Sequence, residues 1–299
     1  MSDAVKARLL LVTLCLAWGL TWPAMRIALY DIPPFTMRTL SALIGAASML
    51  VLATLARRPV QLPKASLWPF IVIVSFCNII AFSVCVAFAQ LIATTGRVAI
   101  LVYTMPIWAS LLAMFVLRER LTPVRAIALI LCCVGMGVLI YPVALHGVPL
   151  GLVLALCAAV FWAIGTVYIK WYRAEIDPFT LSAWQLIVAC VAMLVLLLTF
   201  EGLIDFSSIG WKSWAGVIFS GFFGSAVAYY LWFEIIRLLP MTTASLGALA
   251  SPVIGVVSSV FLLHEWPTAW DIVGFVIIFS ASVCVLLEPQ LPSFGSKRG

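Results

Sequence analysis

The amino-acid sequence predicts an all-α membrane protein of ten transmembrane helices, arranged as two five-helix inverted repeats, and three observations carry that expectation. First, 65% of the 299 residues are hydrophobic and only 9% are charged, against about 45–50% and about 25% in soluble globular domains. A chain with so little charge must expose apolar surface, and lipid is the solvent that tolerates it. Second, ten apolar segments reach the roughly 20 residues that a bilayer crossing needs. Third, the second half of the chain repeats the first. The composition excludes a cytoplasmic enzyme, a disulfide scaffold and a disordered tail protein.

The ten segments fall at 9–29, 35–56, 67–91, 95–117, 123–140, 149–171, 179–199, 213–237, 241–263 and 267–287. The first follows Lys6 and Arg8 and runs on from Leu9 to Leu29 without a small-residue cleavage site, so it reads as a retained helix rather than a signal peptide. The connections are short and carry proline or charge, as at Asp31-Ile32-Pro33-Pro34, Arg57-Arg58-Pro59 and Glu175-Ile176-Asp177-Pro178. They leave no soluble domain.

Cytoplasmic loops hold the excess of Lys and Arg. With the N-terminus inside, Lys6, Arg8, Arg57, Arg58, Lys64, Arg118, Arg120, Arg125, Lys170, Arg173, Arg237, Lys297 and Arg298 are cytoplasmic, and only Arg26, Arg38, Arg97 and Lys212 are outside. The bias of 13 to 4 puts both termini in the cytoplasm and supports an even helix count. The net charge of +6 is dispersed along membrane flanks, so no nucleic-acid partner is expected. All eight cysteines lie in apolar runs without a paired zinc spacing and read as packing residues, with no metal and no cofactor.

The repeat is explicit in the residues. Trp18 to Arg26 reappears as Trp162 to Lys170, Pro34-Phe35-Thr36 as Pro178-Phe179-Thr180, and Met49-Leu50 as Met193-Leu194, at a spacing of 144. Trp68 matches Trp214, Pro106 matches Pro252 and Glu119 matches Glu265, at a spacing of 146. The expected units are 1–145 and 146–299. Five helices is an odd number, so the second copy enters the membrane from the opposite side. Glu119 then ends on the cytoplasmic side and Glu265 on the outer side.

Each unit has a proline in the middle of its fourth helix and an acid closing that helix: Pro106 with Arg118-Glu119-Arg120-Leu121, and Pro252 with His264-Glu265-Trp266. This constellation resembles the EamA repeat of the drug/metabolite transporter superfamily over residues 9–287. The resemblance implies an exporter-type carrier of the bacterial inner membrane that works by alternating access. It also implies a central cavity between the halves, with the fifth and tenth helices peripheral, and amino acids or other small metabolites as cargo. The aromatic amino-acid exporters are the branch it suggests. The second copy departs from the pattern in carrying His264 and Trp266 around its glutamate.

Polar residues at depth are the functional candidates. Asn78, the only asparagine in the chain, falls near the middle of the third helix, where it would either bind substrate or bridge two helices; Phe82 shares its face one turn on. Trp18 and Trp162, the repeat-related pair, lie near mid-depth rather than in the interfacial belt, as two rings that could stack on a ligand at the pseudo-twofold axis. Trp22, Trp108, Trp184 and Trp232 are weaker candidates, and Trp68, Trp211, Trp214, Trp266 and Trp270 read as interfacial anchors. Tyr103, Gln185, Tyr229, Tyr230, Ser245 and Ser251 complete an interior that is polar without being charged. Pro106 and Pro252 are the expected hinges.

All 17 basic residues lie near helix ends or in loops, so phosphorylated substrates are disfavoured; Arg26 and Arg38, flanking the first outer loop, would form an outer gate or, as the default reading, snorkel to headgroups. With no ionisable group at depth, uniport or exchange is expected over proton antiport. The expected cargo is a small amphipathic solute, first an amino acid with an apolar or aromatic side chain, with cationic or hydrophobic drugs and nucleosides as the alternatives. An intramembrane enzyme would need a nucleophile and base at depth, whereas His146 lies in a loop and His264 at a helix end. The expected partners are the substrate and the lipid bilayer, with the chain acting as a monomer.

Overall fold

Residues 3–55, 57, 60–118, 122–145, 149–238 and 248–287 are described by the computed structural model. Over them the chain forms ten successive helices: α1 (Asp3–Ala28), α2 (Pro34–Leu55), α3 (Ala65–Ile92), α4 (Thr95–Val116), α5 (Pro123–Ala144), α6 (Leu150–Tyr172), α7 (Pro178–Glu201), α8 (211–238), α9 (Ala250–Leu263) and α10 (Ala269–Leu287). The first eight are long and apolar enough to cross a membrane, and Ala250–Leu263 and Ala269–Cys284 are shorter apolar helices. No strand occurs among the described residues. The chain is a multi-pass helical membrane protein. Glu119, His146 and Ser245 lie outside the described residues.

Prolines open α2, α5 and α7, where the missing N–H would have had no helical partner. Left-handed residues close four of the helices: Arg57 (φ 53°), Arg118 (54°), Arg173 (52°) and His264 (57°). Such a residue turns the chain off the helix axis. At His264 that turn brings the following Glu265 back across the bundle.

Two kinds of interruption recur in both halves at the spacing of the repeat. The π-helical turn Phe76–Ala81 in α3 has its counterpart in Phe222–Val227 of α8. Extra residues of this kind re-aim the side chains beyond them. The second interruption is a break at Tyr103–Thr104 in α4, matched by a turn at Leu249 before α9. Pro106 and Pro252, three residues beyond Tyr103 and Leu249, are its cause, since proline removes one backbone hydrogen bond and crowds the carbonyl four residues back. The displaced Tyr103 carbonyl accepts from Ser282 Oγ of α10 at 3.3 Å, while Ile107 N turns to Thr104 O at 2.9 Å. The breaks thus follow from the two prolines.

The most extensive contacts run between the halves: α1 against α8 and α9, α6 against α3 and α4, α2 against α7, and α5 against α10. Helices α1 and α6 are therefore each embedded in the other half. Glycines permit the closest approaches. A methyl on Gly216 of α8 would stand 2.4 Å from Ala24 O of α1, and one on Gly19 of α1 would stand 2.5 Å from Ile254 of α9.

Candidate functional site

Where α1, α3, α4, α6 and α9 meet, the α4 break presents Tyr103 between two indoles. Its ring centroid lies 6.4 Å from Trp22 and 6.5 Å from Trp162, and Phe82 stands edge-on to Trp162 at 5.6 Å. Trp22 is buried, whereas Tyr103, Trp162 and Phe82 are partly exposed. The phenol of Tyr103 lies beside Ser251 of α9, whose hydroxyl is buried.

Asn78 sits one turn below Phe82 in the π turn of α3, against α6. Gly165 makes room for it: a methyl there would fall 1.9 Å from Asn78 Oδ1. Asn78 Nδ2 reaches Gln185 Oε1 of α7 at a long 3.5 Å, and Oδ1 is buried without a partner among the described residues. A weakly engaged amide beside a cluster of rings can take up the polar end of an amphipathic solute. Thus Phe82, Tyr103, Trp162 and Ser251 form one group, with Asn78 and Gln185 adjoining it through α3 and α6.

Other expected residues are drawn elsewhere. Trp18 packs against Trp232 at 5.9 Å, in a cluster with Leu14, Leu231 and Ile235. It is Trp22, one turn on, that joins Tyr103. Tyr229 packs with Ala46, Met49 and Phe179 between α2 and α7. Of the anchors, Trp68 stands edge-on to Trp184 at 5.1 Å.

Polar ties between the halves gather at one end of the bundle, around the α1–α2, α3–α4, α7–α8 and α9–α10 turns. Glu201 accepts from Phe35 N and Thr36 N, both at 2.7 Å, and from Thr36 Oγ1 at 2.8 Å. Glu265 accepts from Thr95 N at 2.6 Å and Thr95 Oγ1 at 3.3 Å. These two carboxylates cap the first turns of α2 and α4, where unpaired N–H groups and the helix dipole favour an anion. Asp31 accepts from Gly210 N at 3.1 Å and Ser213 Oγ at 2.7 Å. Arg97 pairs with Asp271 at 2.5 Å, and Asp271 also accepts from Thr268 N at 2.8 Å. In the α7–α8 connection, the hydroxyl and amide of Ser207 hold the Asp205 carboxyl below its usual range.

The same end holds the two arginines expected to snorkel. Arg26 donates to Gln90 O and lies over the Tyr30 ring at 5.6 Å, and Gln90 Nε2 donates to Trp22 O at 3.1 Å. Arg38 does not reach outward. It is 9% exposed and turns inward so that Nη1 lies 3.1 Å from Met25 Sδ. Sequence position alone missed this, because a residue one turn into a helix has the same spacing whether it faces lipid or the neighbouring helix. The carboxylate ties were missed because their partners lie 165 to 182 residues apart.

A model of the EamA-like transporter family matches this chain twice, over residues 5–141 and 149–287. The chain is 26% identical to the "Uncharacterized transporter YoaV" of Bacillus subtilis, over 92% of this chain and 94% of that protein. It is 23% identical to the "Probable amino-acid metabolite efflux pump" of Escherichia coli K12, over 93% of each. A crystal structure 20% identical in sequence superposes on 94% of this chain and 96% of its own with a TM-score of 0.66, a likeness of fold.

Proposed function

The chain belongs to the EamA-like transporter family, and from that premise we propose that it exports small amphipathic metabolites by alternating access, amino acids with apolar or aromatic side chains first. The observation that carries this reading is the group of Tyr103, Trp162, Phe82 and Trp22 beside the weakly engaged amide of Asn78. Rings receive an apolar side chain by stacking, and an amide and a phenol receive its polar backbone groups. The efflux pump of Escherichia coli, named for amino-acid metabolites, lends support at 23% identity.

In this reading the protein lies in the bacterial inner membrane as a monomer with both termini cytoplasmic, following the bias of basic residues. The carboxylate-tied end then faces outward, the halves 1–145 and 146–299 act as inverted repeats, and the breaks at Pro106 and Pro252 serve as hinges. The test is counterflow in proteoliposomes with labelled phenylalanine and unlabelled amino acids, nucleosides, cationic drugs and sugar phosphates as competitors. Competition by Phe, Trp and Leu above the rest is the expected result. Preference for sugar phosphates, or indifference to amino acids, would overturn it.

A further inference from the structure

Among the described residues, Arg38 presents a charge with no counter-ion. Its guanidinium is buried to 9% exposure, and of its donors only Nη1 has a contact, to a thioether, a weak acceptor. Nε and Nη2 are buried without a hydrogen-bond partner among the described residues. A buried cation left unpaired is strongly unfavourable, so the site calls for an anion. The acids described at this end of the bundle do not supply one. Glu201 is taken by Phe35 and Thr36, Asp31 by Gly210 and Ser213, Asp205 by Ser207, Glu265 by Thr95, and Asp271 by Arg97 and Thr268.

The two unpartnered atoms also have a geometry. Nε and Nη2 share one edge of the guanidinium and form the fork that takes the two oxygens of a carboxylate side-on. Met25, the residue this side chain touches, is one helical turn from Trp22, and Trp22 adjoins Tyr103 and through it Trp162. Arg38 therefore touches α1 one helical turn from the residue that adjoins the aromatic group. We propose that Arg38 is the carboxylate-binding residue of the transport site, so that the cargo is a carboxylate with an apolar body. The fork holds its carboxylate while the rings of Trp22, Tyr103 and Trp162 hold the rest. This inference rests on the reading that those rings line the transport site, and it narrows the cargo to anions and zwitterions.

The experiment is equilibrium binding to the purified full chain in phosphatidylcholine nanodiscs, with two matched pairs of ligands: 3-phenylpropanoate against 3-phenylpropanamide, and L-phenylalanine against L-phenylalaninamide. The wild type is expected to bind the carboxylate of at least one pair tenfold or more tighter than its amide. Arg38→Met should abolish the difference while binding of the amide persists, which shows that the rest of the site is intact. Arg38→Lys, which keeps the charge but not the fork, should retain only part of it, and this variant decides the matter if Arg38→Met does not yield folded protein. A wild type without carboxylate preference, a wild type that binds none of the four, or an undiminished preference in Arg38→Met or Arg38→Lys would overturn the proposal. Arg38-dependent binding of 3-phenylpropanoate without binding of phenylalanine would support it and sink the amino-acid reading instead.

Discussion

The N-termini of α2 and α7 carry the same tripeptide, Pro34-Phe35-Thr36 and Pro178-Phe179-Thr180, and are capped in opposite ways. At α7 the cap is local: Asp177, immediately before the helix, accepts from Thr180 N at 2.9 Å. At α2 the position of Asp177 is held by Pro33, which has no side-chain acceptor. The cap comes instead from Glu201 in the other half, with three short hydrogen bonds. Glu201 itself occupies the repeat position of Arg57. Two exchanges between the copies, aspartate for proline and arginine for glutamate, separate a local cap from a tie across the bundle. Duplication preserved the backbone, and the placing of a few carboxylates decides where the halves are tied.

Removing each cap in turn breaks this comparison most sharply. Hydrogen bonds to a charged group contribute about 1.5–3 kcal/mol each and are not additive, so Glu201→Ala should cost about 3 kcal/mol and free the α2 end from α7. A single cysteine at Ser220, buried where Ser41 and Ser220 meet at 2.9 Å, should then react with a polar maleimide in a Cys-less background. Asp177→Ala should cost about 1 kcal/mol, as other lost N-caps do, and leave the Ser220 label unchanged. Equal labelling in the two variants would reduce Glu201 to an ordinary cap.

The π turns sharpen the comparison on a smaller scale, because the copies exchange partners there. In α3 the third residue is Asn78 and the facing α6 position is Gly165. In α8 the third residue is Gly224 and the facing α1 position is Thr21, with Thr21 Oγ1 2.6 Å from where a Gly224 methyl would sit. One backbone device thus holds an amide on one side and a threonine on the other. Gly165→Ala should overpack Asn78 at about 1–3 kcal/mol, and Asn78→Ala in the same chain should recover most of the loss. Gly224→Ala should cost less, since its contacts are longer, and should be relieved by Thr21→Ala. The readout is thermal unfolding of single and double variants, and failure of either rescue would mean that the glycines serve the helix rather than its neighbour.

Much of this was legible in the sequence. Apolar length gave the helices, the 144- and 146-residue spacings gave the duplication, and Pro106 and Pro252 marked the breaks. What a repeat spacing cannot convey is facing. Trp18 and Trp162 share a register, but the position opposite Trp18 on α8 is Trp232, whereas its counterpart on α3 is Val86. Trp18 is accordingly drawn into a ring pair of its own. Arg38 shows the same limit for charge. Its distance from the helix end suggested lipid headgroups, and only the neighbouring α1 shows that it points inward. The candidate site was thus half legible: its residue types were visible, and which aromatic side chains stand together, a partition into two groups, was not.

That partition yields the smallest effect and the most direct comparison of the copies. Trp162 contacts Phe82 and Tyr103, while Trp18 contacts Trp232 within an apolar cluster. Replacing either by leucine keeps apolar bulk and removes the ring face. In Trp162→Leu a bound aromatic ligand loses stacking worth roughly 0.5–1.5 kcal/mol beyond area burial, so affinity for phenylalanine should fall by up to about tenfold. Leucine, which gains little from a ring face, should bind nearly as before, so the ratio of the two affinities isolates stacking from any loosening of the fold. Trp18→Leu loses its pairing with Trp232 and should unfold at a lower temperature with that ratio unchanged. Equal ratios in the two variants would return Trp162 to the role of packing.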